Sequence, residues 1–433
     1  MTAKDTKITS KDKVINFADV AQPIISFSKN TPHGDIVLQL IDTKWVQRLR
    51  DISQTANTRL VYMFSEHSRF GHSVGVASLT DVLLDSLERK YPKKIKEYRT
   101  AITAAALLHD IAHLAPGSHT AYKTWFPQAK DVHEELGCRV ILEDPEISRI
   151  LTNFSSELPA LVCKILQSST EIPPWTWEVI SGGGWNTDRG NWCIVDSVLA
   201  GVNYGTYNIP ALVESLEITD DDHLAIKENR LDALMHFAIS RHAMYRQVYQ
   251  HRVLMASDTL NLAIASRARD IHSSLIFADE TMQKVLDADS PTTLTLNELF
   301  QMRESWWRYH LYKWEQEPDE ILADLARRLL YRDLFKTVRV QTSDDSKDFL
   351  KKAEETVKEA GFDPTYYLHR FQITHMHKGD SKQALKVLRE DRSTCKISEA
   401  EPLFEHLVKE TENPGKTWLA MPKEAKVLLG RER

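Results

Sequence analysis

The amino-acid sequence predicts a mainly α-helical protein, on two observations. Apolar residues recur at three- and four-residue steps along most of the chain, which is the spacing of one helix face. Period-two alternation, the pattern of a half-buried strand, is scarce and is found at residues 338–342 and 366–373. We therefore expect many helices and a few short strands near the C-terminal end.

Six segments within the first 270 residues carry the helical pattern. In the first of them the apolar face is marked by Ile41, Trp45, Leu49 and Ile52. The six segments are 41–52, 75–90, 100–114, 132–142, 160–169 and 231–266. Residues 171–192 contain two adjacent prolines and three consecutive glycines, so we expect a loop there that leads back into a helix.

The pattern divides the chain into three parts. Residues 1–35 are polar and turn-rich and are expected to form an N-terminal arm. Residues 36–270 hold the helical segments and the motifs described below. Residues 271–433 form a second helical region, in which the segment 344–361 is strongly charged and more solvated.

Composition excludes several classes of protein. Of the 433 residues 42% are hydrophobic and 27% charged, and the formal net charge of -6 argues against a globally basic nucleic-acid coat. The four cysteines are widely spread without CxxC pairing, which argues against a disulfide framework or a structural zinc site. The N-terminus lacks the apolar stretch of a signal peptide, and no apolar run approaches the ~20 residues of a membrane span. We expect a cytoplasmic protein that does not contact a membrane.

The strongest chemical signal is the adjacent pair His109-Asp110, at the end of an apolar helical segment. Burying an imidazole and a carboxylate there is costly unless they are paired or bound to a metal. A divalent cation with mixed nitrogen and oxygen ligands would satisfy both. An isolated His-Asp dipeptide is common on helix surfaces, but here further histidines accompany it, among them His72, His113 and His133.

Five motifs in order resemble those of the HD-domain dNTP triphosphohydrolases, both the bacterial dGTPase-like enzymes and the vertebrate SAM-and-HD-domain enzyme. The motifs are IDTKWVQRLRDI (41–52), HSRFGHSVGV (67–76), ALLHDIAHLAPGSH (106–119), NTDRGNWCIVDS (186–197) and MYRQVYQHRV (244–253). The resemblance extends from residues 13–16 to 327–336. It implies an HD-domain helical fold with an additional helical C-terminal region, and hydrolysis of a dNTP to the deoxynucleoside and inorganic triphosphate. No counterpart of the SAM domain is expected, because little sequence precedes residues 13–16.

The resemblance also implies a metal site. Its ligands would be His72, His109, Asp110 and Asp188, holding a divalent ion such as Mg, Mn, Fe, Co, Ni or Zn. Two aspartates compete in the fourth motif, and its alignment over the full length puts Asp188 at the metal. Asp196 would then accept a hydrogen bond from the 3′-hydroxyl of the sugar.

Catalytic and substrate-binding roles follow by the same match. His133 would transfer a proton with help from Glu134, since the unperturbed pKa of imidazole lies near working pH. His113 and His119 would line the phosphate channel, although His113 could equally be a packed helix residue. The residues matched to nucleotide contacts are Gln54, Arg69, Arg189, Trp192, Asp196, Arg241, Tyr249 and Gln250. For each arginine, a surface salt bridge is the alternative.

Several departures bear on which substrate is used. Thr55 stands where the vertebrate enzyme has an apolar residue, and Trp192 replaces the usual tyrosine. Asn186 and Asn191 replace two acids of the fourth motif, and Val195 replaces its arginine. The metal site tolerates these changes, but the preference among nucleotides, and for triphosphates over other phosphate esters, is left open.

A second nucleotide site is a weaker hypothesis. Residues matched to an activating-nucleotide site are Lys13, Asn16, Asp42, Gln47 and Arg50. A longer insertion separates the first two from the rest, and the charges of 41–50 equally suit the solvated face of a helix.

Two rival functions remain. The same ligands would serve an HD-type phosphatase or phosphodiesterase that acts on nucleoside monophosphates, alarmones or short oligonucleotides. A nucleotide-binding sensor without turnover is the other, although a complete ligand set argues against it. Family members form homo-oligomers from dimers to hexamers, so an oligomer is expected, and single-stranded nucleic acid is not excluded as a partner.

Overall fold

The fold is mainly α-helical, which confirms the class predicted from the sequence. The computed structural model describes residues 13–22, 24–117, 120–129, 132–275, 277–340, 346–373, 385–404 and 415–431. Within those residues, no helix is both long enough and apolar enough to cross a membrane.

The α-helices are numbered in chain order. Helices α1 to α11 are Pro32–Ile41, Lys44–Arg48, Arg69–Lys90, Pro92–Leu108, Thr120–Trp125, His133–Glu143, Pro145–Phe154, Leu158–Leu166, Trp175–Ser181, Thr187–Leu199 and Ile209–Glu214. Helices α12 to α21 are Leu231–Met244, Arg252–Asp270, Glu280–Asp287, Leu296–Gln301, Glu304–Trp314, Glu320–Leu330, Ser346–Glu359, Pro364–Tyr367, Ile397–Ala400 and Lys423–Arg431.

The strands form three small sheets in the described part of the chain. Strands β1 to β9 are Val14–Phe17, Ile25–Ser28, Leu216–Ile218, Leu224–Lys227, Lys336–Arg339, His369–Ile373, Lys386–Leu388, Thr394–Lys396 and Lys416–Met421. Strands β1 and β2 form an antiparallel hairpin, the order β3-β4-β7-β8 makes a second sheet, and β5-β9-β6 a third. The two strands predicted from period-two alternation correspond to β5 and β6. Residues 341 and 342 of the first prediction lie outside the described residues.

Helices α3 and α4 pack against each other at the centre of the molecule, with α1 and α8 against α4 and α10 against α3. The second half of α4 is rich in alanine, and every residue of 101–108 is buried. Small side chains let the neighbouring helices approach closely, so the functional side chains at the ends of α3, α4 and α10 come together. The buried apolar side chains form one core that extends from Ile25 to Leu429.

The predicted helix 100–114 ends earlier than its pattern indicates. Helix α4 ends at Leu108, and the chain continues in tight turns with hydrogen bonds from Ile111 N to Leu108 O and from His113 N to Asp110 O. Apolar spacing continued through 114 because Ile111 and Leu114 are also core residues. His109 and Asp110 therefore lie just after the helix rather than within it.

The predicted helix 231–266 is two helices. Helix α12 continues into a π-helical turn at Tyr245–Tyr249, and the chain bends before α13 begins. The wider turn is closed by Gln250 N donating to Tyr245 O over 2.9 Å. Such turns are frequent at functional sites, and this one carries Tyr245 and Tyr249 into the cavity described below.

Two predicted non-helical segments contain regular structure. The segment 171–192 holds helix α9, because the prolines just before it have fixed φ and suit a helix start. The arm 1–35 holds the hairpin β1-β2, in which Ile25 and Phe27 point into the core. Strands of four residues are too short for alternation to be a clear signal. The boundaries proposed at 35 and 270 stay predictions.

Arg48 joins distant parts of the chain inside the core. Its guanidinium donates to the carbonyls of Phe300 at 2.9 Å, Leu299 at 3.0 Å and Met302 at 3.0 Å. It also donates to the carbonyl of His113 at 2.8 Å, next to the predicted active site. Burial lowers the pKa of Arg48 to about 9. These four bonds hold the turn after α4 against the C-terminal end of α15 and the residue that follows it.

We expect Arg48→Met to lower the free energy of unfolding by about 3 kcal/mol or more, since it leaves buried carbonyls unsatisfied at about 1–3 kcal/mol each. Urea denaturation followed by circular dichroism measures this change. Arg89→Met is the matched control, because Arg89 is exposed and pairs with Glu214 on the surface. Equal midpoints for the two variants would contradict the role of Arg48.

Candidate metal centre and active site

His72 is a buried histidine in α3 with one ring nitrogen fixed by a neighbour. Its Nδ1 lies 2.9 Å from Asn191 Oδ1, an acceptor on α10. Nδ1 therefore carries the proton and Nε2 presents a lone pair, the arrangement found for metal-bound histidines. Gly75 makes room for this contact, because a Cβ at Gly75 would lie 2.4 Å from Asn191 Nδ2.

His109 is fixed in the same way. Its Nδ1 donates to Ala106 O over 2.8 Å, one turn back on α4. Its Nε2 is buried and makes no hydrogen bond to the described part of the chain. An imidazole nitrogen of this kind is an available metal ligand. The rings of His72 and His109 meet edge to face with centroids 5.2 Å apart.

Asp188 reaches the two histidines from the first turn of α10. The helix begins after Asn186, whose side chain accepts from Arg189 N and caps the N-terminus. Asp188 Oδ1 lies 3.0 Å from His72 Nε2 and 3.6 Å from His109 Nε2. One ligand atom from each of these three residues lies within 4.8 Å of the others.

Asp110, the fourth predicted ligand, borders this group. Its Oδ1 lies 3.4 Å from His109 Nε2, and its Oδ2 lies 3.6 Å from His72 Nε2. Two ligands of one metal at bond lengths of about 2.0–2.2 Å are separated by roughly 3.0–3.5 Å. Two of the four separations, at 3.0 and 3.4 Å, lie within that range, and the other two, at 3.6 Å, lie just above it. Two neutral imidazoles with two carboxylates also carry a charge of -2, which suits a divalent cation.

Electrostatics keep both carboxylates ionised without a bound metal. Burial raises the pKa of Asp110, but the positive charges of Arg69 and His109 outweigh burial and hold that pKa well below its usual value. The imidazoles of His109 and His72 likewise lower the pKa of Asp188. Burial alone would lower the pKa of His109, yet the carboxylates of Asp110 and Asp188 outweigh it and raise that pKa to about 9.

Two further histidines extend from the centre. His113 Nε2 lies 3.1 Å from Asp110 Oδ1, and burial together with Arg69 lowers the pKa of His113 to about 3. The ring of His133, the first residue of α6, stacks on His113 with centroids 5.0 Å apart. Glu134 is exposed, with Oε1 4.0 Å from His133 Nε2. His119 lies outside the described residues.

A cavity of about 210 Å³ opens beside the metal centre. Asp110, Asp188 and Arg69 line it together with aromatic side chains. Trp192 and Tyr249 pack edge to face with ring centroids 5.3 Å apart. The remaining lining residues are Gln54, Thr55, Ala56, Asn57, Thr58, Asp196, Tyr245, Leu254 and Asp258.

Asp196 is held on one side of the cavity by two partners. Tyr249 donates its hydroxyl to Asp196 Oδ2 over 2.6 Å. His67 Nε2 lies 2.7 Å from Asp196 Oδ1. Burial and the charge of Asp196 raise the pKa of Tyr249 well above its usual value, so the phenol stays protonated.

Other residues matched from the sequence lie around the cavity rather than in its lining. Arg189 Nη1 donates to the carbonyls of Gly182 and Gly184, both at 3.3 Å. The buried Arg241 lies over the Tyr245 ring, 4.8 Å from its centroid. Gln250 ends the π-helical turn and follows Tyr249.

The five residues matched to an activating-nucleotide site lie in two separate stretches of the chain, 13–16 and 42–50. Lys13 and Asn16 are exposed at β1, and Asn16 Oδ1 accepts from Ser26 Oγ at 2.7 Å. Asp42 is exposed, while Gln47 Oε1 accepts from Arg50 Nε at 2.8 Å. A second site at these residues stays a prediction.

Three side chains that lie at the site were not predicted to do so from the sequence. Asn191 was noted as a departure, but its position three residues after Asp188, on the same helix face, could have indicated contact with the metal ligands. His67 stands within the second motif and could have been paired with an acid. Asp258, in the middle of α13, carries no sequence signal that distinguishes it from a surface aspartate.

Comparison with known proteins bears on the family and the fold of the chain. The HD domain family matches residues 69–190. The uncharacterized protein YwfO of Bacillus subtilis is 30% identical over 336 residues, which cover 77% of this chain and 75% of YwfO. The deoxynucleoside triphosphate triphosphohydrolase SAMHD1 of Danio rerio is 23% identical over 360 residues, 73% of this chain and 56% of that protein. A phosphohydrolase of Bacteroides thetaiotaomicron shares the fold with a TM-score of 0.78 at 22% identity, covering 95% of this chain and 100% of that one.

A helical fold that brings a His-Asp pair, a second histidine and a distant aspartate to the edge of a cavity defines a metal-dependent phosphohydrolase of the HD type. The chain belongs to the HD-domain family that includes the dNTP triphosphohydrolases and YwfO.

Asn191→Ala removes the acceptor that orients His72, so we expect metal affinity to fall by about 10- to 100-fold with the fold intact. Isothermal titration of the metal-stripped protein with Mn²⁺ measures this loss. Asn191→Asp keeps the acceptor and should lose less. Asn208→Ala, which removes only a helix cap at α11, is the matched control. Unchanged affinity in Asn191→Ala would show that His72 does not depend on this bond.

Proposed function

We propose that this chain hydrolyses deoxynucleoside triphosphates to the deoxynucleoside and inorganic triphosphate. The observation that carries the proposal is the continuity of the cavity. It joins two carboxylates of the metal centre, a buried arginine and an aromatic wall in one space. The metal centre and the arginine would bind a triphosphate, and the aromatic wall would pack against a nucleoside.

The phosphate end is formed by Arg69 and the metal ligands. Arg69 Nη1 pairs with Asp110, which fixes the guanidinium beside the centre. Arg69 Nε is buried and makes no hydrogen bond to the described residues, so it can donate to a phosphate oxygen. A divalent ion, when bound, would supply Lewis acidity toward the phosphate and lower the pKa of water.

The proton for the departing 5′-oxygen would come from His133. His113 beneath it has a pKa of about 3 and so stays neutral near pH 7. Its ring is held between Asp110 and His133, at 3.1 Å from the carboxylate and 5.0 Å between ring centroids. We therefore assign His113 to positioning and His133 to proton transfer, with Glu134 beside it and His119 in the phosphate channel.

The nucleoside end would use Trp192, Tyr249 and Asp196. The hydrogen bond from Tyr249 to Asp196 fixes the phenol against the carboxylate. Asp196 and Gln54 would read the 3′-hydroxyl, and the Tyr249 ring under the sugar would exclude a 2′-hydroxyl by contact. Arg241 lies behind this wall, over the rings of Trp192 and Tyr245. Arg189 and Gln250 lie outside the cavity lining, and the resemblance alone assigns them to nucleotide binding. We also propose a cytoplasmic homo-oligomer.

Purified wild-type protein, assayed with each dNTP and each of Mg, Mn, Fe, Co and Ni, should release intact triphosphate with at least one metal. His109→Ala should abolish turnover because it removes a ligand. His272→Ala is the control, since that side chain is exposed and lies 3.0 Å from Asp287. Ion chromatography identifies the inorganic product.

No cleavage of any dNTP across this set would refute the proposal. Release of orthophosphate from monophosphates or cleavage of oligonucleotides would instead identify an HD-type phosphatase or phosphodiesterase. Metal-dependent nucleotide binding without turnover would identify a sensor.

A further inference from the structure

The cavity is lined by four aspartates, and the proposed chemistry leaves one of them, Asp258, without a role. Asp258 lies in α13 and lines the cavity one helical turn after Leu254, which lines it too. None of the four predicted metal ligands comes from this helix. No hydrogen bond or ion pair joins Asp258 to another of the described residues.

No positively charged side chain among the described residues pairs with the carboxyl group of Asp258. Burial raises its pKa to about 7. Arg69 is the positively charged side chain among the residues that line the cavity, and it pairs with Asp110. Asp258 is half-buried, and an acid in such a place without a partner is unfavourable unless a ligand completes it.

The wall that faces α13 contains further unsatisfied polar atoms. Helix α13 packs against the 3₁₀ helix Ala56–Leu60, which carries Asn57. Asn57 Nδ2 and Thr55 Oγ1 are buried, line the same cavity and make no hydrogen bond to the described residues. Asn57 Nδ2 is a donor and Asp258 an acceptor, so the two walls together offer complementary groups to one ligand edge.

We propose that Asp258 and Asn57 recognise the base of the nucleotide and select guanine. This rests on the proposed function for the nucleotide itself. Guanine presents two adjacent donors, N1–H and the 2-amino group, which a carboxylate accepts together. Beside them is the O6 acceptor, which Asn57 Nδ2 can reach as a donor.

Other bases match this pair of groups less well. Adenine and cytosine place a ring-nitrogen acceptor next to the amino group, and that nitrogen would face a carboxylate oxygen. Thymine has a single N–H between two carbonyls, so one carboxylate oxygen would face a carbonyl. The structure thus gives a physical reason for a preference for guanine, and Thr55 adds a further polar group to the same wall.

Calorimetric titration of the full-length protein with dGMP, dAMP, dCMP and dTMP, with Mg²⁺ at pH 8, tests the assignment. At that pH the carboxylate form of Asp258 prevails. We expect dGMP to bind at least about tenfold more tightly than dAMP, the scale of one good bidentate base contact. Asp258→Asn, which presents one donor and one acceptor, should lose that preference and shift it toward dAMP. Asp232→Asn changes an exposed aspartate on the preceding helix and should keep it.

Binding of the four monophosphates within twofold of each other, or no binding at millimolar concentration, would overturn the assignment. A dGMP preference that persists in Asp258→Asn would do so as well, provided that thermal denaturation shows a folded variant. If the preference is present and depends on Asp258 but no dNTP is hydrolysed, base recognition stands and the proposed reaction fails. If dNTPs are hydrolysed without preference, the reaction stands and the role of Asp258 fails.

Discussion

Two hydrogen bonds fix the chemistry of this protein. They run from His72 Nδ1 to Asn191 and from His109 Nδ1 to Ala106 O, and each turns the opposite nitrogen toward Asp110 and Asp188. Without them the imidazoles could rotate or change tautomer, and the four ligand atoms would not converge. One bond is supplied by a helix backbone and the other by a side chain, so they differ in how easily mutation removes them.

The rest of the fold brings these groups together. Alanines in α4 allow α3 and α1 to approach, and Gly75 leaves the space that Asn191 fills. Arg48 holds the turn after α4 from behind, through the carbonyl of His113. The π-helical turn before α13 places the tyrosines on the far side of the cavity. A metal centre, a proton donor and a nucleoside wall thus come from segments far apart in sequence.

Much of the centre could be predicted from the sequence, because the ligand types stand in short motifs in a fixed order. His72, His109 and Asp188 do come together, and Asp110 borders them. The end of α4 at Leu108 could not be predicted, since Ile111 and Leu114 continue the apolar pattern as core residues after the helix has stopped.

Other features depend on tertiary structure alone. The strands of the hairpin β1-β2 are too short for their alternation to be a clear signal. The break between α12 and α13 could not be predicted because residues 231–266 contain no proline or glycine. Arg189 was matched to a position that contacts the nucleotide, yet its guanidinium donates to backbone carbonyls of the preceding loop. Asp258 stands out only in the folded protein, where it lines the cavity and burial raises its pKa.

The most direct test of the central claim is a crystal structure of the protein grown with Mn²⁺, with anomalous diffraction recorded near the manganese edge. The account predicts one strong anomalous peak about 2.0–2.3 Å from the Nε2 atoms of His72 and His109 and from carboxylate oxygens of Asp110 and Asp188. No peak at that point, or a peak bound by other residues, would contradict it.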